Sequence, residues 1–246
     1  MNEPDPPSES NDVLQARIAE LERENEELRR FVRRATHDLE APLRRVVTFS
    51  DLLARELGEV DGHAAEALDF LRQTAVRGRD RVRALRSYTR LMTLPVEVRS
   101  FSIEAVVTDA LGRAEAALQD VHVVRDEGGV TDVVAEPELL AQALAALLAN
   151  AGRYRAPARA AEVEVGVRST DAGFSVHVSD NGVGIEPRFH EQALEPLLRL
   201  ASDLEEPGAG MGLALARRVV ERWGGTLELH SVPGEGTTVT LEWPRP

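Results

Sequence analysis

His37 and Asp38 stand side by side in the run Thr36-His37-Asp38-Leu39-Glu40-Ala41-Pro42-Leu43, and an imidazole beside a carboxylate is equipped for nucleophilic chemistry. The acid can hold the proton of one ring nitrogen and leave the lone pair of the other free to attack an electrophile. Accessibility follows from heptad position. With Ala35 at d and Leu39 at a, His37 falls at f, farthest from the apolar seam, so its ring faces solvent. Pro42 has no N–H to bond the carbonyl of Asp38 one turn back, which predicts a bend beside the pair.

Further along, Asn150, Arg153 and Tyr154 close a helical pattern that opens at Glu136-Pro137. A neutral amide oxygen and a cation one turn apart suit Mg²⁺ plus phosphate, although an Asn near a helix end is also an ordinary terminal residue. Asp180-Asn181-Gly182-Val183-Gly184-Ile185 follows a strand-like run directly. A carboxylate there can accept from an adenine amino group while the glycines admit close backbone approach; the first five of these residues, Asp180 to Gly184, would also make a plain hairpin turn. Gly208-Ala209-Gly210-Met211-Gly212-Leu213 opens a helix, where free backbone N–H groups attract phosphate oxygens. It lacks the Lys-Ser/Thr of a P-loop, and no strand immediately precedes it. Gly234-Glu235-Gly236-Thr237-Thr238 leads into the last strand and reads equally as a tight turn.

These residues need elements to hold them. From Leu14, the positions Leu14, Ile18, Leu21, Leu28, Val32, Ala35, Leu39, Val46, Phe49 and Leu53 alternate steps of three and four once Asn25 and Pro42 fill the gaps, giving a continuous heptad seam. Asn25 at an a position favours a parallel dimer, and Arg17 with Glu22, and Glu24 with Arg29, are placed to pair across it. The first helix should end near Leu57-Gly58. After a turn, Leu68, Leu71, Ala75, Val82, Leu85, Thr89 and Met92 repeat the spacing with Gly78 in the seam, until Pro95 stops it. Two antiparallel helices per chain, dimerised, make a four-helix bundle. After a linker at residues 95–102 comes a helix from Ile103 to about Leu118. Strand-like runs VHVVRD and DVVAE, a helix from Pro137 to about Gly152, strands EVEVGVRS and FSVHVSD, a helix from Met211 to Trp223, and strands TLELHS and TTVTLEW follow. That order predicts an α/β sandwich with a mixed sheet.

Composition sets the limits. The chain has 246 residues with 29 basic against 42 acidic, a net charge of −13, which argues against general nucleic-acid binding. Absence of cysteine excludes disulfides and thiol chemistry. No apolar run approaches the roughly 20 residues of a membrane span. The start MNEPDPPSESND lacks the features of a signal peptide, so a cytoplasmic location with a disordered leader over residues 1–12 is expected.

Taken together and in order, these segments resemble the two-component sensor histidine kinases over roughly residues 30–243. Their catalytic domain is shared with gyrase, Hsp90 and MutL, the GHKL ATPases. THDLEAPL looks like the family's H box, LLANAGRY its N box, and DNGVGI, GAGMGLAL and GEGTT its three glycine boxes. The form HDLxxPL is most similar to kinases related to bacterial phytochromes. The resemblance implies a multi-domain chain: a coiled-coil signalling helix at 13–35, a dimerisation and phosphotransfer hairpin at 36–94, and an ATP-binding α/β sandwich of Bergerat type at 103–246.

It further implies that His37 attacks the γ-phosphate of ATP with Asp38 as base and that Asn150 binds Mg²⁺. Arg153 would bind phosphates and Asp180 the adenine. Tyr154, Gly182, Gly184, Ile185, Arg199, Gly208, Gly210, Met211, Gly212, Leu213 and Thr237 would complete the nucleotide site. Residues from about Pro187 to Ala209 would form a mobile lid. The implied partners are a second copy of the chain and a response-regulator receiver domain, with no nucleic acid and no membrane. Departures are Ala41, where many relatives carry Thr or Asn, Ala146 in the N box, and Leu194 and Leu197 at lid positions usually held by Phe. A degenerate, kinase-like phosphotransfer or scaffold dimer is the rival reading.

Overall fold

The computed structural model describes residues 8–57, 62–91, 95–126, 128–198 and 210–245. The chain divides into two compact units, the boundary falling between Thr89 and Arg90. The first is built on two helices, α1 (Ser8–Leu57) and α2 (His63–Leu91). At 50 residues α1 is about 75 Å long, and it continues past Pro42 to Leu57. It also begins earlier than the expected leader allows, at Ser8. The chain turns helical as soon as the proline-rich run ending at Pro7 is passed, because nothing after it opposes a helix.

Where α1 and α2 meet, packing is close and polar. Gly78 leaves room for Leu43, whose Cδ2 would lie 3.2 Å from a Cβ at that position. Arg72 bonds Asp51 at 2.7 Å and Arg86 bonds Glu40 at 2.9 Å. The buried hydroxyls of Thr36 and Ser50 donate to the carbonyls of Val32 and Val46 one turn back, so neither is left unpaired. The seam residues are a different matter. Leu14, Ile18, Leu21, Leu28, Leu39, Val46, Phe49 and Leu53 are all exposed within the single chain.

The second unit holds the remaining elements: β1 (Arg99–Ser102), α3 (Ile103–Ala114), β2 (His122–Asp126), β3 (Asp132–Ala135), α4 (Pro137–Arg153), β4 (Glu162–Ser169), β5 (Gly173–Asp180), a 3-10 turn (Pro187–Phe189), α5 (His190–Ala193), α6 (Gly212–Arg222), β6 (Thr226–Val232) and β7 (Gly236–Pro244). Five strands form a mixed sheet in the order β2-β4-β5-β7-β6, parallel only between β2 and β4. The expected α/β sandwich is present. Alternation places Val163, Val165 and Val167 of β4, Val176 of β5 and Leu241 of β7 in the core, against Leu140, Leu144 and Leu148 of α4 at helical spacing. Pro137 opens α4 at a position where a missing N–H costs nothing.

Two expectations change. The interval 95–102 is not all linker, because Arg99–Ser102 pair antiparallel with Asp132–Ala135 as a separate two-stranded sheet. The first helix of this unit stops at Ala114, not near Leu118, and the chain turns on to Asp120 with φ of 61°. The small sheet is tied in by the Trp243 indole, which donates to Val134 O at 2.9 Å and lies 5.4 Å from the Trp223 ring.

Candidate functional site

In the helical unit, His37 Nδ1 lies 3.2 Å from Asp38 Oδ1, and the two side chains are 78% and 69% exposed. The helix turns this pair outward while Thr36 and Glu40, on either side, are buried. Glu40 faces Arg86 at 2.9 Å, Arg83 at 3.6 Å and Arg44 at 3.8 Å. Desolvation pushes its carboxyl upward, but the Arg86 hydrogen bond and the charges of Arg86, Arg44 and Arg83 hold it below the usual glutamate range.

In the second unit a cleft of about 300 Å³ opens between the end of α4, the end of β5 and the start of α6. Asn150, Arg153, Tyr154, Asp180, Gly184, Ile185, Gly210, Gly212, Leu213 and Thr237, all singled out from sequence, line it. Two others serve differently. Gly182 donates its N–H to Asp180 Oδ1 at 2.8 Å, and any side chain on it would collide with the carbonyl of Tyr154. Met211 is buried, with its carbonyl accepting from Leu215 N–H at the start of α6. Arg199 and Gly208 lie outside the described residues, as does the 199–209 part of the lid expected from about Pro187 to Ala209. On either side of that stretch the chain comes together at the cleft, since Leu197 N–H donates to Gly210 O at 2.8 Å.

The walls include residues that motif reasoning missed. Leu147, Val178 and Val239 are apolar residues on the same elements as named site residues, so helical spacing from Asn150 and alternation from Asp180 point to them. Phe189, Ala193 and Leu198 fall within the range expected for the lid without having been singled out, and Glu186 lies just before it. Gly184, at φ of 69°, takes a conformation that only glycine adopts freely, and so lets the loop turn against Val232. At the cleft floor, burial pushes the Asp180 carboxyl above the usual aspartate range, opposed by the N–H groups of Gly182 and Thr237 and the charge of Arg159. A half-buried carboxylate among apolar walls suits a flat heteroaromatic ring carrying an amino group.

Residues 135–246 match the family described as histidine kinase-, DNA gyrase B- and HSP90-like ATPase. The chain is similar to sensor histidine kinases. It is 31% identical over 230 residues to phytochrome-like protein Cph1 of Synechocystis sp., covering 91% of this chain and 30% of that protein. To the methanogenesis regulatory histidine kinase FilI of Methanothrix harundinacea it is 31% identical over 237 residues, or 95% of this chain and 26% of that one. The chain thus spans less than a third of the length of these curated relatives. Its fold is similar to that of full-length ShkA in complex with AMPPNP, with a TM-score of 0.66 at 20% identity over 87% of this chain and 45% of that chain. A mycobacterial sensor histidine kinase, MprB, matches with a TM-score of 0.51 at 23% identity over 61% of this chain and 100% of that chain.

The cleft and the His37–Asp38 pair belong to different units of the chain. Asn150 Oδ1 lies 3.5 Å from Arg153 Nη1, so an amide oxygen and a guanidinium sit together at the cleft. Among the described residues no group of three or more His, Cys, Asp or Glu could cage a metal. The donor set fits an ion that takes one oxygen from Asn150 and the rest from phosphates and water. Also among the described residues, no helix is long and apolar enough to cross a membrane.

Proposed function

We propose that the chain is the kinase region of a sensor histidine kinase, which phosphorylates His37 from Mg-ATP and passes the phosphoryl group to an aspartate of a response-regulator receiver domain. The observation that carries this reading is an exposed His37, engaged at Nδ1 by Asp38, in the same chain as an ATPase-family cleft with Asp180 at its floor. Asp180 accepts from the adenine amino group, while Arg153 and the backbone around Gly210 and Gly212 face the phosphates. Mg²⁺, held through Asn150, would neutralise charge on the phosphate oxygens.

His37 Nε2 attacks the γ-phosphorus, the bond to the β,γ-bridging oxygen breaks, and ADP leaves. The Nδ1 proton is held by Asp38, which stabilises the imidazolium that forms. Residues 13–35 act as a signalling helix leading into the hairpin at 36–94, ahead of a catalytic domain at 103–246 to which β1 contributes. The exposed seam of α1, with Asn25 within it, supports a parallel homodimer. A cytoplasmic location accords with a receiver-domain partner.

Ala41, exposed one turn after His37, carries only a methyl group and has no polar atom to position water for phosphate removal. Purified chain is therefore expected to leave phosphorylated receiver domain intact, as followed by retention of label on the regulator; Ala41→Thr is expected to gain dephosphorylation.

The test of the main reading is incubation with γ-labelled ATP and Mg²⁺ beside His37→Gln and Asn150→Ala. Acid-labile label on the wild type that both substitutions abolish is the expected result. ATP binding without any label would favour a kinase-like scaffold.

A further inference from the structure

The turn between α4 and β4 carries a residue that no motif marks. Arg159 directs Nη2 at three backbone carbonyls: Gly182 O at 2.9 Å, Gly234 O at 2.7 Å and Glu235 O at 3.0 Å. The first belongs to the loop that follows Asp180, the last residue of β5. The other two belong to the turn between β6 and β7. Two hydrogens on one nitrogen thus serve three acceptors drawn from two glycine-rich loops.

The neighbouring backbone reinforces the link. Asn181 receives a hydrogen bond on Oδ1 from Glu162 N–H at 3.0 Å and donates from Nδ2 to Ala160 O at 2.9 Å. Gly234 N–H donates to Val183 O at 2.8 Å, so the two loops also touch directly. At the cleft, Asp180 ends β5, Gly184 comes from the loop after it, and Thr237 comes from the strand that the other loop opens. Without the guanidinium, the spacing between them would rest on that backbone contact, on the Asp180 carboxylate, which accepts from Thr237 N–H, and on Ser231 Oγ, which accepts from Ile185 N–H at 2.8 Å and donates to Gly236 O at 3.0 Å.

We infer that Arg159 is a positioning residue for nucleotide recognition, a brace that holds the Asp180–Gly184 loop against the Gly234–Gly236 turn so that the adenine subsite is formed before ligand arrives. This rests on the nucleotide reading above. A protein whose binding-competent loop arrangement is populated only in part binds proportionally more weakly, so Arg159→Met is expected to weaken ADP binding on the order of tenfold.

The brace also carries a positive charge toward the Asp180 carboxylate. The other titratable groups lining the cleft are Arg153 and Tyr154 at the end of α4 and Glu186 beyond β5, while His190 of α5 has its Nε2 3.1 Å from Ile185 O. From α6 and β7 the cleft receives Gly212, Leu213, Thr237 and Val239. Loss of the Arg159 charge removes one of the influences that keep Asp180 ionised. ADP binding by Arg159→Met should then fail at a higher pH than wild type as the solution is acidified, whereas Arg159→Lys should keep the wild-type acid limb with reduced affinity.

The experiment is calorimetric titration of the full chain with ADP and Mg²⁺ from neutral to mildly acidic pH, with melting curves for each variant. Weaker binding by Arg159→Met together with a displaced acid limb supports the brace; a purely structural role would lower affinity without moving the limb. Arg159→Met that binds as wild type, with the same pH profile, overturns it. Should Arg159→Met fail to fold, Arg159→Lys decides: weaker binding with an unmoved limb supports the brace, and wild-type affinity overturns it. Wild type that binds no ADP overturns the nucleotide reading and the brace with it.

Discussion

Asp180→Asn is expected to weaken ADP binding by at least about thirtyfold, or ~2 kcal/mol, while leaving the chain as stable as wild type or more so. The two halves of this expectation have one cause. Asp180 already accepts hydrogen bonds from the N–H groups of Gly182 and Thr237 and would accept a further one from the adenine amino group. An amide keeps one acceptor oxygen for the loop and turns the other atom into a donor, which meets the adenine donor head-on. Stability moves the other way because burial raises the Asp180 pKa, so the folded chain holds this proton more tightly than the unfolded chain does. With a raised folded pKa, the contribution of Asp180 to unliganded stability is favourable in acid and falls as pH rises toward neutrality. The uncharged amide does not suffer that loss. Calorimetry for ADP and thermal melting of the same samples separate the two effects. Loss of binding with loss of folding would mean that Asp180 is structural.

The second large effect is on stability, at Arg222. This residue at the end of α6 bonds Glu136 at 2.7 Å, with the two side chains only 9% and 12% exposed. Its guanidinium also donates to Leu91 O at 2.6 Å and Pro95 O at 2.5 Å, while Glu136 accepts from Trp223 Nε1 at 3.0 Å and Glu97 N–H at 3.3 Å. Arg222→Met would strand a buried carboxylate, a change that costs about 3–5 kcal/mol. Glu136→Gln in the same chain should recover part of that loss, because it removes the uncompensated charge while keeping an acceptor for Trp223.

The pH dependence should invert as well. Burial alone would raise the Glu136 pKa, but the Arg222 hydrogen bond, those of Trp223 and Glu97, and the Arg222 charge hold it below the usual glutamate range. In wild type the contribution is therefore present at neutral pH and lost as pH falls through that lowered pKa. Without Arg222, burial dominates, and mild acidification should stabilise the variant. Urea melts at neutral and mildly acidic pH would show the reversed slope.

How much of this was legible in the sequence depended on whether the cause was local. Periodicity marked α1 and α2, and alternation marked β4, with the same eight residues EVEVGVRS in pattern and structure. The cleft residues from Asn150 to Leu213 were readable because glycines, a carboxylate and an amide fall in runs whose spacing has a local reason. β1 was hidden, since RSFS becomes a strand only by pairing with β3 some thirty residues later. Arg159 and the Glu136–Arg222 pair were hidden for the same reason. Their partners lie 23 to 86 residues away and are reached through the fold. A surface arginine and a buried one look alike in a chain with this many of them. Glu186 and Phe189 reach the cleft through a loop whose path no periodicity describes.

The central claim is that His37 is the residue that receives phosphate. The most direct measurement is to incubate the chain with Mg-ATP, digest it under neutral to alkaline conditions that preserve phosphohistidine, and locate the modified residue by mass spectrometry. With cleavage after arginine, the expected result is a single phosphorylated peptide, Ala35–Arg44, with the added mass on His37. Phosphate on a serine, threonine or aspartate instead, or ATP hydrolysed with His37 unmodified, would contradict it.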